Sequence, residues 1–241
     1  MIQNLYIFKN PEELAAQFGR QLMSWAENHS GDTFDLAISG GKTPNLLFSI
    51  LAEKYANSPC WQKIHFWWVD ERMVSSDHPE SNFGVARKLL LSQISIPEEN
   101  IHRIKGENIP NIEALSYSAQ IQEKLPLSEG CPVFNLIILG MGDDGHTASI
   151  FPDQLHLLNS TNVCEVAVHP FTGQKRITLT GKVINKAEKI CFLVTGSGKA
   201  SPLSEISKKT ESSKLLPASF IIPENGDLFW YVDESAAQLI Q

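Results

Sequence analysis

Phe34-Asp35-Leu36-Ala37-Ile38-Ser39-Gly40-Gly41-Lys42-Thr43-Pro44 is the stretch that decides the fold. A short, mostly apolar run breaks at Ser-Gly-Gly, and from Pro44 a segment with helical periodicity continues to about Ala56. Proline suits a first helical turn, where its missing N–H has no partner to lose. The same unit recurs downstream. Residues 64–69 read as a strand that stops at Asp70-Glu71-Arg72, and a helix over about 81–92 presents Val85 and Leu89 at helical spacing. Residues 133–139 are the most apolar run, as expected of a central strand buried on both faces. Strand-like segments follow at 162–168, 176–180 and 189–195, then a helix over about 200–206, strands at 218–222 and 228–232, and a short terminal helix. Short strands alternating with helices predict an α/β fold with a mainly parallel central sheet flanked by helices. No Pro/Gly/Ser-rich linker or internal repeat interrupts the alternation, so one domain over residues 1–241 is expected. The polar segment Ser207 to Lys214 reads as a mobile surface loop.

Composition narrows the function. The chain has 241 residues, with 20 Lys+Arg against 27 Asp+Glu and a formal charge of −7. Nucleic-acid affinity rests largely on basic side chains neutralising phosphates, so no nucleic-acid partner is expected and any anionic ligand must sit in a local pocket. No run approaches the roughly 20 apolar residues of a membrane span, and the first residues lack the features of a secretory signal. A cytoplasmic protein with no membrane partner is the expectation. Cys60, Cys131, Cys164 and Cys191 show neither CxxC nor Cys/His ligand spacing, so they read as thiols in a reducing compartment with no structural metal.

In open α/β sheets, ligands bind beyond the carboxyl ends of the strands, which directs attention to the loops there. Ser39 to Pro44 looks like a phosphate cradle, with two glycines admitting an anion to backbone N–H groups and the Ser39 and Thr43 hydroxyls in reach. The alternative is a glycine turn with Thr43 as helix cap. Asp70-Glu71-Arg72 would place two acids and a guanidinium on one turn, suited either to a phosphate or to a surface ion pair. Gly140-Met141-Gly142-Asp143-Asp144-Gly145-His146 matches GxGxxG, and Glu165 even lies at the offset of a ribose-binding acid. A dinucleotide reading fails nonetheless. Asp143 and Asp144 repel a pyrophosphate, Pro152 prevents a long helix, and Glu165 lies inside a strand. What remains is His146 beside Asp144, a residue suited to proton transfer near neutrality with an acid to fix its tautomer. Thr195-Gly196-Ser197-Gly198-Lys199-Ala200 departs from a P-loop at Leu193 and Ala200, yet Lys199 at a helix start can contact a phosphate. Arg176 is a weaker candidate of the same kind. Phe66-Trp67-Trp68 reads as core, and no GxSxG elbow occurs.

Taken together, SGGKTP (39–44), VDERMV (69–74) with Ser81 and Asn82, LGMGDDGHTASIFP (139–152) and RITLT (176–180) resemble the 6-phosphogluconolactonase family. That family shares a superfamily with the glucosamine-6-phosphate deaminases. The resemblance spans essentially the whole chain in family order. It implies a Rossmann-like fold, no cofactor, and hydrolysis of 6-phospho-D-glucono-1,5-lactone in the oxidative pentose phosphate pathway. It further implies His146 as the catalytic histidine with Asp144 nearby. Phosphate would be held by Gly40, Gly41, Thr43 and Arg72 with Lys199, and Arg176 would serve either the fold or the substrate. The deaminases carry GHIAFNEP, whose Glu works with the histidine; Phe151 stands at the corresponding place here, which disfavours deamination. A deaminase or isomerase of sugar phosphates and a non-catalytic phosphosugar sensor are the competing readings. The expected partner is a phosphorylated sugar lactone, with the chain a monomer or weak homodimer.

Overall fold

The computed structural model describes residues 2–240. Its strands are β1 (Leu5–Phe8), β2 (Phe34–Ile38), β3 (Ile64–Trp68), β4 (Asp70–Arg72), β5 (Ile101–His102), β6 (Leu127–Ser128), β7 (Cys131–Pro132), β8 (Leu136–Leu139), β9 (Cys164–Val168), β10 (Lys175–Leu179), β11 (Lys189–Val194) and β12 (Asp227–Asp233). The α-helices are α1 (Pro11–Asn28), α2 (Lys42–Tyr55), α3 (Asn82–Leu89), α4 (Pro110–Lys124), α5 (Gly181–Ile184), α6 (Ala200–Lys208) and α7 (Glu234–Ala237).

Seven strands form one sheet in the order β1-β12-β11-β8-β2-β3-β5, and every pairing in it is parallel. From β2 the chain proceeds outward through β3 to β5, then returns to β8 on the other side of β2. The strand order therefore reverses between β2 and β8, which opens a crevice at their carboxyl ends. Both strands are buried along their whole length, as their apolar runs require.

Phe66-Trp67-Trp68 lies in the core and shows the period-two alternation of a strand. Trp67 meets Tyr117 of α4 on one face, while Trp68 meets Phe83 of α3 on the other. Tyr117 also brackets the Trp68 backbone, accepting from its N–H at 2.8 Å and donating to its carbonyl at 3.1 Å. Burying aromatic and aliphatic side chains of this kind contributes about 1.5–3 kcal/mol each.

A second sheet stands on the carboxyl edge of the first. Only Val69 separates β3 from β4, and its N–H donates to Ile38 O while its carbonyl accepts from Leu179 N. β4 then pairs antiparallel with β10, which pairs antiparallel with β9. Asp70-Glu71-Arg72 is thus a short strand rather than a turn, because it continues β3 and finds a partner in β10. Two further expectations are corrected. Residues 218–222 form a 3-10 turn (Pro217–Phe220) instead of a strand, since the edge beside β12 is already taken by β1. Ser207 to Lys214 is largely structured: α6 runs to Lys208, Lys209 adopts a left-handed conformation that ends it, and Ser212–Leu215 is a 3-10 turn.

The four cysteines are unpaired, three of them buried. Burial pushes the Cys164 thiol up to about 12, so it is inert as a nucleophile near neutrality.

Candidate active site

The crevice between β2 and β8 is an open cleft of about 220 Å³. Its wall includes Ser39, Gly40 and Gly41 after β2, Arg72 and Asn82 from the β4–α3 segment, and His146 after β8. Arg176 and Lys199 complete its polar lining together with Asp70. Segments distant in the chain converge here because the loops after β2, β8 and β11 leave one edge of the parallel sheet, where the β4–β10 ladder also stands.

Two interactions hold the β2 side. Ser39 Oγ donates to Ile138 O at 2.9 Å, tying the two strands at the point where the order reverses. A Cβ on Gly40 would overlap Asn82 Oδ1, so glycine is required for α3 to approach the loop. Gly41 has φ of +119°, which favours glycine again, and it precedes the first turn of α2.

Glu71 organises the next wall. Its carboxylate is buried and accepts from the N–H groups of Arg72, Asn82 and Phe83, each at 2.8 Å, and from Ser81 Oγ at 3.0 Å. Burial pushes this carboxyl above its ordinary range, opposed by those three backbone N–H groups. An acid at the N-terminus of α3 also suits the helix dipole. The result fixes Arg72, which donates through Nη1 to Glu80 O. Arg72 is the register partner of Arg176 across the β4–β10 ladder. The Nε atoms of both arginines are buried without an acceptor. Both side chains line the cleft, and two neighbouring guanidinium groups there suit an anion. Asp70 supplies the local counter-charge; buried, it accepts from Ser149 Oγ at 2.6 Å.

The β8 loop carries the titratable pair. His146 Nδ1 lies 2.6 Å from Asp144 Oδ1, and the same oxygen accepts from the His146 backbone N–H at 3.1 Å. Burial pulls the Asp144 carboxyl up, but the hydrogen bonds and charge of His146 outweigh it and leave the acid below its ordinary value. With Nδ1 donating to that carboxylate, Nε2 is the basic nitrogen. A Cβ on Gly142 would overlap His146 Nδ1 and press on Asp144, so the pair exists because position 142 has no side chain. Phe151 packs against the imidazole at 5.0 Å between ring centres. Its ring also lies under the Arg176 guanidinium at 5.6 Å and meets the edge of His169 at 5.2 Å.

Among the residues singled out from sequence, Ser39, Gly40, Gly41, Arg72, His146, Arg176 and Lys199 line one cleft, with Asp144 behind the histidine. Thr43 does not line it; its hydroxyl sits 2.7 Å from that of Thr195 and ties α2 to the loop after β11. Nor does Thr43 cap α2, whose cap position is Gly41. Asn82, Met141 and Ala148 line the cleft without having been named as site residues. Asn82 carried a usable signal, since it follows Ser81 at a helix start just after a strand-ending acid cluster.

Comparison with known proteins places the chain in a family. The family model described as glucosamine-6-phosphate isomerases/6-phosphogluconolactonase matches residues 9–230. A 6-phosphogluconolactonase of Aggregatibacter actinomycetemcomitans is 42% identical over 239 residues, covering 98% of this chain and all of that protein. The human 6-phosphogluconolactonase is 34% identical over 240 residues, covering 97% of this chain and 92% of its own. The solved 6-phosphogluconolactonase of Trypanosoma brucei superposes with a TM-score of 0.86 at 26% identity, covering 99% of this chain and 98% of that one. This chain belongs to the glucosamine-6-phosphate isomerase/6-phosphogluconolactonase family.

Proposed function

We propose that the protein is a 6-phosphogluconolactonase that hydrolyses 6-phospho-D-glucono-1,5-lactone to 6-phosphogluconate. The observation that carries the reading is a histidine with a dedicated acid in one cleft with Arg72, Arg176 and Lys199. Relatives at 34–45% identity bear the same activity in their names and support it.

A δ-lactone is an activated ester, so a water molecule made more basic is a sufficient nucleophile. His146 Nε2 takes a proton from water as its oxygen bonds to C1. The tetrahedral intermediate then collapses, the bond from C1 to the ring oxygen breaks, and the proton passes from His146 to that oxygen. Asp144 holds the tautomer and stabilises the transient imidazolium. Arg72, Lys199 and the Gly40-Gly41 backbone hold the phosphate, so that binding energy far from C1 orients the lactone. Arg176 shares the Phe151 ring with His146 and is available to either end of the substrate. Phe151 gives the imidazole an apolar neighbour where a second acid would be needed for ring-opening chemistry.

The active unit is one domain over residues 1–241, acting in the cytoplasm as a monomer or weak homodimer. No helix among the described residues is long and apolar enough to cross a membrane. The test is turnover of freshly generated lactone, followed through a saturating 6-phosphogluconate dehydrogenase. Acceleration well above the spontaneous rate is expected; turnover at the spontaneous rate with phosphosugar binding intact would leave the pocket to a deaminase, an isomerase or a sensor.

A further inference from the structure

Asp143 does something its neighbours do not. Its Oδ1 lies 2.6 Å from Lys199 Nζ, so one ion pair joins the loop after β8 to the loop after β11. These strands are adjacent in the sheet, and the pair spans the rim of the cleft that Lys199 lines. The other acids at the cleft are fastened elsewhere: Asp144 to His146 and Asp70 to Ser149. Among the described residues, no other hydrogen-bond donor reaches the Asp143 carboxylate, and its side chain is 75% exposed against 23% for Lys199. Asp143 is thus the more exposed and less anchored partner of the pair.

The charges at the cleft make that difference consequential. Arg72, Arg176 and Lys199 stand against Asp70, Asp143 and Asp144, with Glu71 behind Arg72, so the paired state has no excess of positive charge. A phosphate monoester carries about −1.5 to −2 charges at neutral pH and offers three acceptor oxygens. Exposed ion pairs are weak, so a dianion held also by two arginines outcompetes a single exposed carboxylate.

Resting on the assignment of Lys199 to the phosphate, we propose that Asp143 is a displaceable counter-ion. It occupies the lysine, and a phosphorylated ligand must expel it. Asp143 thereby lowers affinity for every phosphate-bearing ligand, product included, and keeps the two loops strapped until one arrives.

The experiment is calorimetric titration of inorganic phosphate into wild type, Asp143→Asn, Lys199→Met and the double variant, with lactone turnover of wild type measured alongside. Asp143→Asn is expected to bind phosphate about threefold to fivefold more tightly, the gain from freeing one exposed ion pair. Its KM for the lactone falls by a similar factor, and the gain vanishes in the Lys199→Met background. Phosphate binding that is unchanged or weaker in Asp143→Asn overturns the proposal, because the acid would then be orienting Lys199. A gain that survives Lys199→Met also overturns it, by showing a diffuse charge effect. Lactone turnover by wild type with no phosphate binding in either wild type or Asp143→Asn removes Lys199 from the phosphate site, whereas a wild type that neither binds phosphate nor turns over lactone removes the functional reading itself.

Discussion

Two clusters of histidine and aspartate, one beyond the strand ends and one within the same parallel sheet, have opposite outcomes. At the carboxyl end, His146 and Asp144 face a cleft, the acid giving one oxygen to both the ring and the backbone of the histidine. Within the sheet, Asp35 of β2, His65 and Trp67 of β3 and His102 of β5 lie on one face. There Asp35 accepts from Trp67 Nε1 at 2.8 Å, and His65 Nδ1 bonds instead to His102 Nε2 at 3.0 Å. Asp35 and His102 are each 3% exposed. Burial raises the Asp35 carboxyl, opposed chiefly by the Trp67 hydrogen bond, and it lowers both imidazoles, His102 to about 4. The residue types are the same. Chemistry follows from what is left open: a basic nitrogen on a cleft with cationic side chains in one case, a closed set of hydrogen bonds in the other.

The contrast is open to direct attack. His146→Ala should lower kcat by about two to four orders of magnitude with less change in KM, the range for losing a general base, measured in the coupled assay against the spontaneous rate. Near wild-type turnover would refute the role. Gly142→Ala should cost about a hundredfold in kcat, the scale of an ångström-sized misplacement, because the new Cβ displaces His146 from Asp144. A normal melting temperature alongside that loss would show that geometry, and not folding, was damaged. Arg72→Ala should raise KM and weaken inhibition by phosphate by roughly tenfold or more, as expected for charge-assisted hydrogen bonds. An unchanged KM would take Arg72 out of the anion site.

The smallest catalytic effect belongs to the buried cluster. His102→Gln should leave kcat within about twofold while costing about 1–3 kcal/mol of stability, since the buried ring stacked on Trp67 at 4.0 Å is lost. The sign of the pH effect is fixed by the depressed imidazole. In the unfolded chain His102 protonates near its ordinary 6.5, whereas in the fold it resists until about 4. Stability is therefore fully present above about 6.5 and lost as pH falls from there toward 4. Denaturant melts at pH 7, 5.5 and 4.5 should show this slope in wild type and a shallower one in His102→Gln. Equal slopes would deny His102 the titration.

Much of this was legible in the residues, for reasons that are local. Apolar runs ending at glycine or a charged cluster mark β2, β3, β8 and β11, since a buried parallel strand must be apolar and its exit must turn sharply. His146, Asp144 and Lys199 follow from those exits. Less legible were features set by distant partners. β1, α1 and α4 lie outside the runs that organised the reading, and α4 leaves Ile112 and Leu115 exposed, which blurs its apolar face. Residues 218–222 look strand-like, but no free strand edge receives them. Asn82 enters the cleft only because Gly40 lets it, and Thr43 leaves it only because Thr195 is there. Such pairings are properties of the assembled sheet.

The β4–β10 ladder sets the order of assembly of the working enzyme. Arg72 and Arg176 are register partners, yet some two-fifths of the chain lies between them. On the ribosome, β2, β3, β5 and their helices can emerge and collapse long before β10 exists. The anion site has no precursor in that nascent core, and non-local pairings of this kind form slowly. With Arg72 and Arg176 at the phosphate as proposed, affinity for it is a late-maturing property, one that reports completed synthesis and closure of the second sheet.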